Sequence, residues 1–131
     1  MWCRHTLSNA RLCDESRWIK LDNHFTVTPK FATKMLEKAL QLYTPSLSEK
    51  PMAEFLADKC DDLGFEDIQI DEVGNVIAKK GSGSPKIMLC GHMDVVPGKV
   101  KVRQEGDSLY GRGASDAKAP LMAMLFAAAS I

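Results

Sequence analysis

The sequence lacks most of the features that would sort it quickly. Its four cysteines, Cys3, Cys13, Cys60 and Cys90, form no Cys-x-x-Cys pair, which excludes a zinc ribbon and a thioredoxin-type redox motif. A reducing cytoplasm fits such free thiols best. Charge of one sign is missing too, because seventeen Lys and Arg offset seventeen Asp and Glu. That leaves no long-range field to recruit nucleic acid or an anionic membrane. The opening "MWCRHTLSNARLCDESRWIKL" has no unbroken apolar core of a signal peptide and carries acids that transit peptides avoid. No apolar run approaches the length of a membrane span, and the longest, "APLMAMLFAAASI", suits a buried helix. What remains is a chain of 131 residues, 45% hydrophobic, with enough apolar surface for one ordinary core.

Residues 1–27 follow neither a period of 2 nor of 3.6 and read as a loosely held extension. From Thr28 the pattern is helical: "TPKFATKMLEKALQLY" spaces Phe31, Met35, Leu36, Leu40 and Tyr43 along one face, with Pro29 in the first turn. A second helix is expected with Ser48 as N-cap, an apolar stripe of Met52, Phe55, Leu56 and Leu63, and Gly64 at its end. Cys60 would pack within it as a small hydrophobe. "FEDIQIDEV" then alternates, and Gly74-Asn75 turns it into "VIAKK", which predicts a hairpin.

After the flexible "GSGSP", the run "KIMLCG" is apolar on both faces, as a central strand covered on both sides should be, with Cys90 packed inside. "KVKVRQ" at 99–104 is a further short strand, and a last helix begins near Asp116. The succession predicts an α/β layer architecture over residues 28–131.

His92 and Asp94 stand at the carboxyl end of the expected central strand, where open α/β sheets place their ligands. Neutral imidazole is a good zinc ligand, and a ligating histidine usually donates its other ring N–H to a carboxylate. Residues two apart in extended backbone share a face, so Asp94 can be that partner. In "LYGRGASDAKAPL", Gly111 and Gly113 permit a tight loop, and Asp116 precedes a helix. A carboxylate there can bridge two divalent ions. Taken singly, each of the three is more often an ordinary residue: a satisfied histidine, a turn cap, a helix N-cap. Their joint arrangement carries the signal.

Both stretches resemble motifs of the di-zinc amidohydrolases that include acetylornithine deacetylase, succinyl-diaminopimelate desuccinylase and carboxypeptidase G. His92, Asp94 and Pro97 match a His-x-Asp motif, and Gly111, Arg112, Gly113, Asp116 and Lys118 match a Gly-Arg-Gly-x-x-Asp-x-Lys motif. The resemblance spans roughly residues 31–131. It implies a three-layer zinc-exopeptidase-like sheet flanked by helices, incomplete at the C-terminus. It also implies two Zn2+ ions, replaceable by Co2+, with His92 a ligand, Asp116 the bridge and Asp94 the catalytic residue that orients His92. A cis peptide bond between Asp116 and Ala117 is a further implication.

The spacing between the motifs looks most like the branch that releases lysine or ornithine from an acidic amino-group carrier protein in amino-acid biosynthesis. Acetylornithine deacetylase, succinyl-diaminopimelate desuccinylase and dipeptidase, acting on small acylated amino acids, stay open as alternatives, as does a non-catalytic α/β binding module. The resemblance admits a homodimer for the complete protein. Lys99, Lys101 and Arg103 alternate and would share a strand face, either to meet an acidic carrier or, the favoured reading, to protect an edge.

Two departures stand out. Ala119 follows the motif lysine where the family usually has Gly, and the family's Glu-Glu pair, further acidic ligand and late histidine find no match. A fragment or truncated reading frame with weak metal affinity and negligible turnover is therefore expected.

Overall fold

The computed structural model describes residues 19–21 and 24–131. Strands β1 (Ile19–Leu21) and β2 (His24–Thr26) pair antiparallel within the stretch expected to be a loosely held extension. The expectation for residues 1–18 lies outside the described residues. Helices α1 (Pro29–Gln41) and α2 (Lys50–Asp62) follow. After them come β3 (Glu66–Ile70) with β4 (Val76–Lys79), β5 (Arg103–Glu105) with β6 (Ser108–Tyr110), and helix α3 (Ala119–Ala129). The described sheets are three separate antiparallel pairs. Helices and strands together make the chain α/β in class.

Helix α1 starts where Thr28 lends its hydroxyl oxygen to the Phe31 N–H at 3.2 Å, just ahead of Pro29. Its buried face is Phe31, Met35, Ala39 and Leu40. Helix α2 begins one residue later than the expected Ser48 cap would set it. Ser48 N–H instead bonds to Pro45 O at 2.9 Å, and the Glu49 carboxylate accepts from the Leu47 N–H. A tight turn thus occupies the residues that would have capped. At the other end Gly64, at φ +71°, donates to Asp61 O while Phe65 N–H reaches Cys60 O, both at 2.9 Å. This is the Schellman closure that only a residue tolerant of positive φ makes cheaply.

Helix α3 is apolar nearly all round and seals the core: Met122 packs with Ala39, Met52 and Leu56, and Ala129 with Leu63. Phe126 stacks obliquely on Phe31 at 5.9 Å between centroids. No helix among the described residues is long and apolar enough to cross a membrane.

Cys60 is buried in this core and its thiol is pushed up to about 11 by burial, from an ordinary 9.0. Because the folded chain holds this proton longer than the unfolded chain does, the stability gained by burying the neutral thiol is intact below pH 9. It drains away as pH climbs through 11. Cys90, expected inside a strand, is exposed. Iodoacetamide at pH 8 is therefore expected to label Cys90 at least about 100-fold faster than Cys60, since modification follows access and thiolate content. Mass-spectrometric mapping of the two peptides checks it, and equal rates would contradict the burial of Cys60.

Two further strand expectations need correction. In β3, Asp67 takes φ +50° and the register slips between Glu66 and Gln69, so the alternation of Ile68 and Ile70 is broken and Ile70 stays exposed. "KIMLCG" forms no ladder, and Ile87 and Met88 are 81% and 87% exposed. Its composition suits a central strand, but a central strand requires neighbours on both sides, and none of the described strands pairs with it.

Candidate metal centre

The exit of α1 builds the first half of the site. Thr44 is fully buried; its hydroxyl donates to Met93 O at 3.1 Å, and its own carbonyl accepts the Val95 N–H at 3.0 Å. Pro45 and Val95 form an isolated parallel bridge. These contacts pin positions 93 and 95 inward: Met93 packs on the core and Val95 is buried. Extended backbone alternates, so His92 and Asp94 are turned out together onto one face.

Ser46 then donates to Asp94 Oδ2 at 2.6 Å, which holds that carboxyl below its ordinary range. The other oxygen, Oδ1, lies 2.9 Å from His92 Nδ1. Across the site, His92 Nε2 lies 3.0 Å from Asp116 Oδ1. The Asp116 hydrogen bond raises the imidazole above its ordinary value, with Asp94 adding to the effect and partial burial opposing it.

The second half comes from a π-type turn, Ala114–Lys118, entered through Gly113 at φ +82°. Ala114 N–H bonds to Gly111 O at 3.1 Å and Lys118 N–H to Gly113 O at 2.9 Å. Asp116 and Ala117 leave helical geometry at φ −129° and −135°, and the bond between them is cis, as the resemblance implied. Helix α3 proper starts only at Ala119, three residues after the expected point. Arg112 ties the loop back by donating Nε–H to Gly98 O at 2.6 Å, and Gly98 N–H donates to the Tyr43 hydroxyl at 3.0 Å.

His92, Asp94 and Asp116, 24 residues apart at the extremes, are thus brought together. A divalent ion taking the place of the Nε2 proton would leave Nδ1–H donated to Asp94 and meet the Nε2 lone pair. Two ligand atoms of a tetrahedral zinc, each about 2.0–2.1 Å from the metal, sit about 3.3 Å from one another. The 3.0 Å separation here is within a few tenths of an ångström of that edge. An imidazole nitrogen and a carboxylate oxygen are also donors that zinc and cobalt accept. The pair fits a divalent ion as part of a ligand set. Among the described residues, no group of three or more His, Cys, Asp or Glu is arranged to hold a metal ion.

Sequence reasoning missed Thr44 and Ser46. "TPS" between two helices reads as turn chemistry, and no local signal announces a contact 48 or 49 residues away. It also misplaced the cations. Residues 99–102 are not strand, so Lys99, Lys101 and Arg103 share no strand face. Lys99 sits 5.2 Å above the Tyr43 ring, and Arg103 stacks on Tyr110 at 4.3 Å while donating to Glu105. A groove of about 470 Å3 leads from Asp116 past Arg112 to Tyr110 and Arg103.

Comparison with known proteins finds matches over the same stretch of chain. Residues 88–131, which carry both motifs, match Peptidase family M20/M25/M40, and the chain belongs to that family of metal-dependent hydrolases. Its similarity extends to one branch. A LysW-lysine hydrolase of Deinococcus radiodurans is 38% identical over 109 residues, 81% of this chain and 30% of that protein. A LysW-lysine/LysW-ornithine hydrolase of Sulfurisphaera tokodaii is 36% identical over 94 residues, 72% of this chain and 26% of that protein. A Pyrococcus abyssi protein provisionally given the same activity is 47% identical over 94 residues, 72% of this chain and 28% of that protein. The chain spans between a quarter and a third of the length of these relatives.

Proposed function

We propose that this chain is the part of a zinc-dependent amidohydrolase that contributes His92 and Asp116 as metal ligands and Asp94 as the residue orienting His92. The complete protein releases lysine or ornithine from a LysW-linked form. The single observation that carries the reading is the Asp94–His92–Asp116 relay, at 2.9 and 3.0 Å, on a segment that matches the family. The names of the relatives support the substrate class. The finer architecture, a three-layer sheet of the zinc-exopeptidase kind, belongs to the same proposal.

Within it, Asp94 accepts Nδ1–H, fixes the tautomer and leaves Nε2 as an electron-pair donor. Ser46 supports Asp94 by saturating its second oxygen. Asp116 brings negative charge to the opposite side of the same point. A pair of bound zinc ions would supply acidity to water and polarise the amide carbonyl. The groove past Arg112 and Arg103 gives the scissile amide an approach to Asp116. The free thiols of Cys60 and Cys90 support a reducing, cytoplasmic setting.

The test is a chimera in which the 109-residue matching segment of this chain replaces its counterpart in the Deinococcus radiodurans relative. Zinc-dependent release of lysine from the carrier-linked substrate is expected. A folded chimera without turnover would overturn the proposal. Titration of the present chain with Co2+ separates it from a non-catalytic binding module, which would be indifferent both to metal and to His92→Ala.

A further inference from the structure

Lys118 belongs to the glycine-rich motif, yet the amide-hydrolysis reading gives it no task. Its side chain is fully buried, which is costly for an ammonium unless hydrogen-bonded partners compensate. The partners are specific: Nζ donates to Ala39 O at 2.8 Å and to Leu42 O. Both are carbonyls at the C-terminal end of α1, where no intrahelical donor remains and the helix presents its negative pole. A cation there answers both needs.

The consequence lies in what else hangs from that end. Two residues beyond Leu42, Thr44 grips Met93 and Val95, and Ser46 grips Asp94. The strand-like half of the site, carrying His92, is therefore referenced to residues 44–46. The turn half is referenced to residues 39–42 through Lys118, which also closes the turn by donating its backbone N–H to Gly113 O. Asp116 itself is 83% exposed in its side chain and, among the described residues, its carboxylate has no side-chain partner besides His92.

We infer that Lys118 is a positioning residue: its buried ammonium registers Asp116 against His92 by tying the π-type turn to the same helix end that holds the His92–Asp94 segment. The inference rests on the metal-site reading for its importance but not for its test, which needs no metal.

Nuclear magnetic resonance on this chain decides it. In the unaltered protein an Overhauser contact is expected between the His92 ring protons and the Asp116 β-protons; its absence there would count against the metal site itself. In Lys118→Met, whose side chain fills similar space without a donor, loss of that contact is expected while α1 and α2 remain helical by circular dichroism. A folded Lys118→Met chain that keeps the contact overturns the inference. A purely structural lysine would lower stability and leave the contact unchanged.

Should Lys118→Met not fold, amide exchange in the unaltered chain decides. The Lys118 and Val95 amides, bonded to Gly113 O and Thr44 O, are expected to open as one unit, with protection within about threefold. Divergence beyond about thirtyfold shows that the two halves open independently and overturns the inference.

Discussion

Asp116→Ala in the chimera with the Deinococcus radiodurans hydrolase is expected to lower kcat/KM at least about 1,000-fold. The cause is electrostatic. Removing the carboxylate deletes the group 3.0 Å from His92 Nε2 and, on the proposed reading, the anion that neutralises two adjacent cations. Metal-derived stabilisation of charge in the transition state amounts to several kcal/mol, and each 1.36 kcal/mol is tenfold in rate. Asp94→Asn should be milder, about 10- to 100-fold, because it disturbs only the partner that orients a ligand. Steady-state kinetics with saturating zinc checks both. A loss smaller for Asp116→Ala than for Asp94→Asn would reverse the assigned roles.

The second large effect falls on folding. Gly113→Ala is expected to destabilise the chain by about 2–6 kcal/mol. A non-glycine residue at φ +82° costs roughly 1–3 kcal/mol in backbone strain. The added methyl would also lie 2.5 Å from Val95 Cγ1, and forcing such overlap in a packed region costs about 1–3 kcal/mol more. Val95 cannot easily give way, since it is buried and held by Thr44. For a domain near this size the melting temperature should fall by roughly 10 °C or more. Gly106→Ala is the control, because its φ is also positive at +56° but an added methyl there meets nothing. Equal losses in the two variants would show that the Val95 contact has no weight.

These predictions differ in how far they were readable beforehand. The site trio His92, Asp94 and Asp116 was legible because two motifs of fixed spacing named it, and period-2 geometry already placed the first two residues on one face. Helices α1 and α2 were legible from 3.6-residue spacing, and the closure at Gly64 from its place after Leu63. Burial of a strand was not legible in the same way. "KIMLCG" reports that its residues suit an interior, but whether neighbours exist is a property of other segments. The β3 irregularity at Asp67 and the early turn at Pro45–Ser48 were equally hidden, since each is set by a local backbone choice that hydrophobic period does not encode. Thr44, Ser46 and Lys118 act across 49, 48 and up to 79 residues of chain. Pattern reading along a single dimension does not register such pairings.

The uncovered stretch from Ile87 to Leu89 has a practical outcome for anyone handling this chain. Its amide and carbonyl groups join no ladder among the described residues, and they are flanked by greasy side chains with only Lys86 for charge. Such a surface is a template for intermolecular strand addition. Concentrated samples should accordingly turn cloudy by sticking along this line, and a lysine in place of Met88 should keep them clear.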